Sequence, residues 1–80
     1  MNALEQLLEF VSRLQEEKVQ FNLQCVRDAI MVTVVSPTSY SEVEFFADGH
    51  IEVQDFGPPS SVRTVTLPEI TERVIREVNG

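Results

Sequence analysis

Two glutamates and a histidine are the residues of this sequence best placed to do chemistry. In the segment YSEVEFFADGHIEVQDF, Glu44 and Glu52 fall on opposite sides of an Asp-Gly turn, and His50 lies between them. If the flanking stretches pair as antiparallel strands, the two carboxylates have Cβ atoms about 5 Å apart, with His50 diagonal to them and Glu42 next along. Such a cluster could hold a divalent metal ion or form a general acid/base pair.

Other features of the sequence argue against catalysis. Carboxylates and a histidine on an open, flat sheet lack a cleft that excludes water. The three glycines are scattered, and no spacing matches a known metal or nucleophile motif. Cys25 is predicted to point inward as a small hydrophobic residue, away from His50. The sequence therefore predicts no catalytic residue, metal ion or cofactor, and an enzyme that uses Glu44, Glu52 and His50 with a divalent metal or by acid/base chemistry is the alternative.

Turn chemistry sets the register of the strands that carry this cluster. A two-residue loop at the Asp-Gly dipeptide would mix apolar and charged residues on both faces. A three-residue loop of 47–49 separates them, with Gly49 in the left-handed conformation that closes a type I turn with a bulge. Phe45 then lies opposite Ile51, on an apolar face. A slip of one residue would move every side chain to the wrong face.

The same register extends backwards through two further turns. Loops at 36–39 and 27–28 place the apolar positions of four strands on one face. The predicted inner face of this antiparallel meander consists of Phe21, Leu23, Cys25, Ile30, Val32, Val34, Val43, Phe45, Ile51 and Val53. After the Gly-Pro-Pro segment, residues 62–66 are predicted either as a fifth, edge strand or as an extended lead into the last helix.

Helices are predicted at both ends of the chain. Asn2 with Glu5, and Thr66 with Glu69, have the spacing of capping boxes. Apolar residues recur at helical spacing after each box, so that each helix has one apolar stripe. The first helix is expected to run to about Glu17.

These elements make one α+β domain of residues 1–80, with both helices packed on one face of a four- or five-stranded antiparallel sheet (α-β-β-β-β-(β)-α). Two helices of about 10 Å diameter cover about one face of such a sheet, so the outer face is solvated or used for binding. On the last helix, Glu69 with Arg73 and Glu72 with Arg76 are expected to form solvated pairs four residues apart.

Charge indicates the class of partner. The formal net charge is −7, and no Lys or Arg occurs between Arg27 and Arg63, where six Asp and Glu residues lie. An acidic face repels DNA and anionic membranes, so neither nucleic acid nor a membrane is a predicted partner, although Arg63, Arg73 and Arg76 leave one small basic cluster. An acidic face suits a basic protein partner, while a net charge of this size also serves solubility.

Aromatic and apolar side chains surround the acids of the outer face, which is typical of a contact surface. The predicted partner-binding residues are Tyr40, Glu42, Glu44, Phe46, Glu52 and Phe56. The partner is predicted to be another protein or a second copy in a homodimer, and the like charges of Glu44 and Glu52 near a two-fold axis argue against the homodimer on this face. In the alternative, the linker 57–61 or a fifth strand folds over these aromatics.

The single cysteine and the composition of the N-terminal segment indicate the cellular compartment. One unpaired cysteine fits a reducing compartment, and the N-terminal segment carries acids where a secretion signal needs Lys or Arg. The longest apolar run, 29–35, is too short to span a bilayer. A cytoplasmic location is therefore expected.

The hairpin EVEFFADGHIEV, preceded by RDAIMVTV, resembles short uncharacterised bacterial α+β proteins, some of which are similar to immunity proteins of toxin systems. The resemblance covers about half of the chain and carries over no functional residue. It implies an acidic binding protein without catalysis.

Overall fold

The computed structural model describes residues 1–37, 40–55 and 61–79. The elements in chain order are helix α1 (Ala3–Glu16), strands β1 (Phe21–Val26), β2 (Ala29–Val35), β3 (Tyr40–Phe46), β4 (Ile51–Asp55) and β5 (Ser61–Val65), and helix α2 (Leu67–Asn79). The strands form one antiparallel sheet in the order β1-β2-β3-β4-β5. The predicted α+β meander is confirmed, and the stretch before α2 is its fifth, edge strand.

The predicted register is present in each of the first three hairpins. Leu23 lies opposite Val32 between β1 and β2, Val32 opposite Val43 between β2 and β3, and Val43 opposite Val53 between β3 and β4. Part of the predicted loop 36–39 lies outside the described residues. One continuous alternation therefore runs across the four predicted strands.

Backbone conformation at the turns explains this register. Gly49 has a φ of +97°, and its N–H donates to the Phe46 carbonyl at 3.0 Å, which closes the predicted three-residue loop. The Phe46 N–H in turn donates to the His50 carbonyl at 3.1 Å. In the two-residue turn between β1 and β2, Arg27 has a φ of +54°, a conformation that few residues other than glycine adopt.

Both helices begin at the predicted capping boxes. The Glu5 N–H donates to the Asn2 side chain at 2.8 Å, and the Asn2 N–H donates to the Glu5 carboxylate at 3.1 Å. At α2, the Glu69 N–H donates to Thr66 Oγ1 at 3.3 Å, and the Thr66 N–H donates to the Glu69 carboxylate at 3.2 Å. Neither helix of the described residues is long and apolar enough to cross a lipid bilayer.

The core lies between the two helices and the inner face of the sheet. Its largest fully buried side chains come from both helices and from β2, β3 and β4: Phe10, Leu14, Val32, Val43, Ile51, Val53, Ile70 and Val74. The Phe10 ring of α1 lies 5.4 Å from the Phe45 ring of β3, at a tilt of 47°. Tilted aromatic pairs at this separation stabilise the packing beyond the area that they bury.

The inner face is not buried at β1, which corrects the predicted core. Leu23 is 54% exposed and Cys25 is exposed, although both belong to the predicted inner face. Phe21 and Ile30, also of that face, are only half-buried. Helix α1 packs on β3 and α2, and α2 lies beside β4 and β5. Because the helices lie over the middle and far side of the sheet, the side chains of Leu23 and Cys25 point to solvent, whereas Phe21 packs against the border of the core.

Replacing Gly49 by alanine should destabilise the fold by about 1–2 kcal/mol, because a side chain disfavours this left-handed backbone. The reason is conformational rather than steric, since the nearest atom to an added Cβ is Gln6 Nε2 at 4.0 Å. Urea unfolding measures the loss. Gly49→Asn is the matched control, because asparagine tolerates positive φ better, and it should cost less. Equal stability of all three proteins would contradict the importance of this turn.

Candidate functional site

The outer face of the sheet carries the predicted binding residues that the structure describes. The register sets Glu44 opposite Glu52, and Glu42 opposite Gln54. Tyr40, at the start of β3, pairs with Val35, and both are exposed. All of Tyr40, Glu42, Glu44, Phe46 and Glu52 are exposed or half-buried. Phe56 lies outside the described residues.

His50 is the centre of the hydrogen-bonded cluster on this face. Its Nε2 lies 3.1 Å from a carboxylate oxygen of Glu52, and its Nδ1 contacts the carboxylate of Asp48. The His50 backbone N–H also donates to Asp48 Oδ1 at 3.0 Å. The imidazole stacks on the Phe46 ring, with centroids 4.2 Å apart and planes within 8°. Three neighbours therefore hold the ring in one orientation.

The second carboxylate in contact with His50 is that of Asp48, which the predicted cluster of Glu44, Glu52 and His50 did not include. The register places Glu44 on the same face, opposite Glu52, as predicted. Asp48 lies in the three-residue turn, and its carboxylate accepts a hydrogen bond from the backbone N–H two residues further on. Aspartate in a tight turn commonly makes this bond, so the residue type and position did contain the signal.

Hydrogen bonds shift the pKa values of this pair in opposite directions. The bond to Asp48 raises the pKa of His50 above its ordinary 6.5, burial opposes the shift, and the bond to Glu52 adds to it. The His50 backbone N–H, followed by the ring, lowers the pKa of Asp48 below its ordinary 3.8. The two neighbouring carboxylates therefore favour the protonated form of the His50 ring.

These shifts make the contribution of the cluster to stability depend on pH. The stabilisation due to His50 is fully present below pH 6.5 and is lost as the pH rises through the raised pKa of His50. The stabilisation due to Asp48 is fully present above pH 3.8 and is lost as the pH falls through the lowered pKa of Asp48. Both contributions are therefore fully present between pH 3.8 and pH 6.5.

The contacts of His50 leave little room for metal binding or proton transfer in this cluster. Both ring nitrogens of His50 face carboxylates, so a metal ion would have to displace one of them. In residues 1–37, 40–55 and 61–79, no three His, Cys, Asp or Glu side chains are grouped so that they could hold a metal ion. An imidazole ring bonded to two carboxylates on an open sheet face is better suited to orient a contact surface than to transfer protons in a closed pocket.

A second charged cluster lies on the helix side of the sheet. Arg73 of α2 contacts the carboxylate of Asp55 on β4, and Arg63 Nη2 lies 3.5 Å from the other oxygen of that carboxylate. Arg73 Nε also lies 3.5 Å from Glu77. The bond from Arg73 is the main cause that lowers the pKa of Asp55, and it joins α2 to the sheet. The expected partner of Arg73, Glu69, instead caps the helix.

Comparison with known proteins gives no relative: no family model, no curated protein and no solved structure matches this chain. The resemblance to immunity proteins of toxin systems therefore stays a prediction.

Replacing Asp48 by asparagine should lower the pKa of His50 towards 6.5, because the ring loses its nearest carboxylate. Asparagine keeps an oxygen that can accept the His50 backbone N–H, so the turn is preserved. An NMR titration of the imidazole carbon-bound protons measures the pKa directly. Glu44→Gln is the matched control, since it removes one charge from the same face. Equal shifts in both variants would contradict a direct bond and indicate only the general field of the acids.

Proposed function

We propose that this domain is a non-catalytic binding protein that docks a basic protein partner on the outer face of its sheet. The observation that supports this most is the unbalanced charge of that face. Glu42, Glu44 and Glu52 lie side by side on β3 and β4, while no Lys or Arg occurs between Arg27 and Arg63. Such a field speeds the approach of a cationic surface.

The shape of the face supports the same proposal. Tyr40 and Val35 stand exposed at one end of β3, and the stacked rings of Phe46 and His50 stand at the other end. The seven residues of β3 set these ends about 20 Å apart. Aromatic side chains are frequent anchors of protein interfaces, and the glutamates between them can pair with Lys or Arg of a partner. Part of the face is thus apolar and part acidic.

Nucleic acid and membranes are not among the proposed partners. A polyanion needs unpaired Lys or Arg. Two arginines of the predicted basic cluster, Arg63 and Arg73, both face the carboxylate of Asp55. The carboxylate of Asp55 offsets part of their charge, so this side of the molecule offers a polyanion less than the sequence suggests.

A metal-dependent or acid/base function for Glu44, Glu52 and His50 has less support. The cluster lies on an open sheet face, and the ring nitrogens of His50 are already bonded. Binding without catalysis agrees with the acidic binding protein that the resemblance to immunity proteins implies. The proposal includes a cytoplasmic location, which a single unpaired thiol favours.

Reversing two charges on the outer face, Glu42→Lys with Glu44→Lys, should remove binding of the partner. The test uses wild-type and variant domains as paired baits for cell extract, followed by mass spectrometry and salt elution. Proteins captured by the wild type should be basic, should elute with salt, and should be lost from the variant. For a captured protein, NMR shift changes on titration should concentrate on β3 and β4.

The matched control is Glu9→Lys with Glu72→Lys, which changes the net charge equally at two exposed positions of the helices. This control should retain the captured proteins. If it loses them as the outer-face variant does, net charge alone governs capture and the proposed face is wrong. Capture that survives the outer-face variant would also contradict the proposal.

A further inference from the structure

Strand β1 presents an unprotected sheet edge. It is the first strand in the order of the sheet, and its sequence FNLQCV has no charged residue and no proline. Proteins usually protect edge strands with charges, proline or bulges, because a bare edge pairs with other chains. The opposite edge strand, β5, has Arg63 at its centre. The two edges of the sheet therefore differ in their capacity to accept another strand.

The hydrogen-bond pattern shows which groups of β1 are available. The Val35 N–H donates to the Gln20 carbonyl at 3.4 Å, so this pair is of the hydrogen-bonded type. Such pairs alternate along an antiparallel ladder, so Asn22 and Gln24 bond to β2. The backbone N–H and C=O groups of Phe21, Leu23 and Cys25 consequently point away from the sheet. These are also the residues whose side chains point to the helix side.

An apolar groove lies beside this edge. It runs between α1 and the β1–β2 hairpin, has a volume of about 370 Å³, and is lined in part by Leu4, Leu7, Cys25 and Ile30. Leu4 is 62% exposed. Leu8, one turn further along α1, is 56% exposed. A strand added to β1 would place its inward side chains beside Leu23 and Cys25, on the side of the sheet where α1 lies.

We propose that the occupant of this edge is a second copy of the chain, with the two β1 strands paired antiparallel about a two-fold axis at Leu23. The strand is self-complementary in this register. Leu23 lies opposite Leu23 of the second copy, Phe21 opposite Cys25, and Asn22 opposite Gln24. Apolar side chains meet on the helix side, amides meet on the outer side, and no like charges face each other within β1.

The charges at the ends of β1 fit the same arrangement. Lys18 precedes the strand and Asp28 follows it, and neither side chain forms an ion pair within the described part of the chain. In the antiparallel dimer, the end of β1 near Lys18 meets the turn that holds Asp28 of the second copy. The opposite charges are thus brought together twice by the two-fold axis. The acidic outer faces lie side by side and do not contact each other.

Sedimentation equilibrium from about 10 µM to about 1 mM tests the association. The mass should rise from 9.1 kDa towards twice that value. Leu23→Lys should hold it at the monomer value, because a lysine there sets two like charges on the axis. Circular dichroism should show that this variant is folded, since Leu23 is 54% exposed. Val62→Lys, at a 59% exposed position on the other edge strand, should still dimerise.

A monomer throughout this range would overturn the proposal. So would a dimer that persists in Leu23→Lys, or one that is lost equally in Val62→Lys. The inference does not depend on the outer face, and Leu23→Lys should still capture a partner that binds there. Failure of one proposal is therefore distinguishable from failure of the other.

Disulfide trapping tests the register. In a Cys25→Ser background, Leu23→Cys places two cysteines opposite each other with Cα atoms about 5.5 Å apart, within disulfide reach. A mild oxidant such as copper phenanthroline should therefore cross-link this variant. In the wild type, the two Cys25 residues are offset by four positions of about 3.4 Å each, beyond the limit of about 7 Å. Cross-linking through Cys25 but not through position 23 would overturn the proposed register.

Discussion

The turn between β3 and β4 decides the character of both faces of this domain. Side chains alternate along a strand, so the loop closed by Gly49 at positive φ determines that Val43 points inward while Glu42 and Glu44 point outward. Each strand pairs with its neighbour in sequence, and the alternation therefore extends from this turn to both edges of the sheet. The apolar core and the acidic outer face both depend on this turn and on the matching registers of the two preceding hairpins.

The position of the helices determines where the core ends. Alternation indicates the face to which a residue points, but it does not indicate whether another element packs above that residue. Leu23 and Cys25 follow the alternation and are nevertheless exposed, because α1 and α2 stand over the rest of the sheet. On α1 the apolar stripe includes Leu4 and Leu8, which the core does not cover. The exposed apolar residues of α1 and the exposed inner residues of β1 thus both lie beyond the limit of the core.

Strand pairing and the two capping boxes could be predicted from the sequence, whereas the partners of His50 and Arg73 could not. The opposition of Glu44 and Glu52 followed from register, because antiparallel pairing is a matter of counting. The turn position of Asp48 favours its bond to the His50 backbone N–H, but its contact with the His50 ring depends on how the loop side chain rotates. Arg73 reaches Asp55, 18 residues earlier, because α2 lies beside β4, and helical spacing does not contain that distance. The alternation of apolar and polar residues therefore predicts which face of the sheet a residue occupies. The packing of the helices and the rotation of loop side chains determine which side chains meet.

Strand β1 also shields its neighbour. β2, with the sequence AIMVTVV, has seven residues without a charge, and it lies between β1 and β3. Strands with few buried contacts open at a low free energy, and β1 has such a burial pattern. Detachment of β1 would turn the most β-branched strand of the sheet into a bare edge of the kind that nucleates cross-β aggregates. The contacts that keep β1 paired with β2 thus also keep this uncharged strand from becoming a free edge.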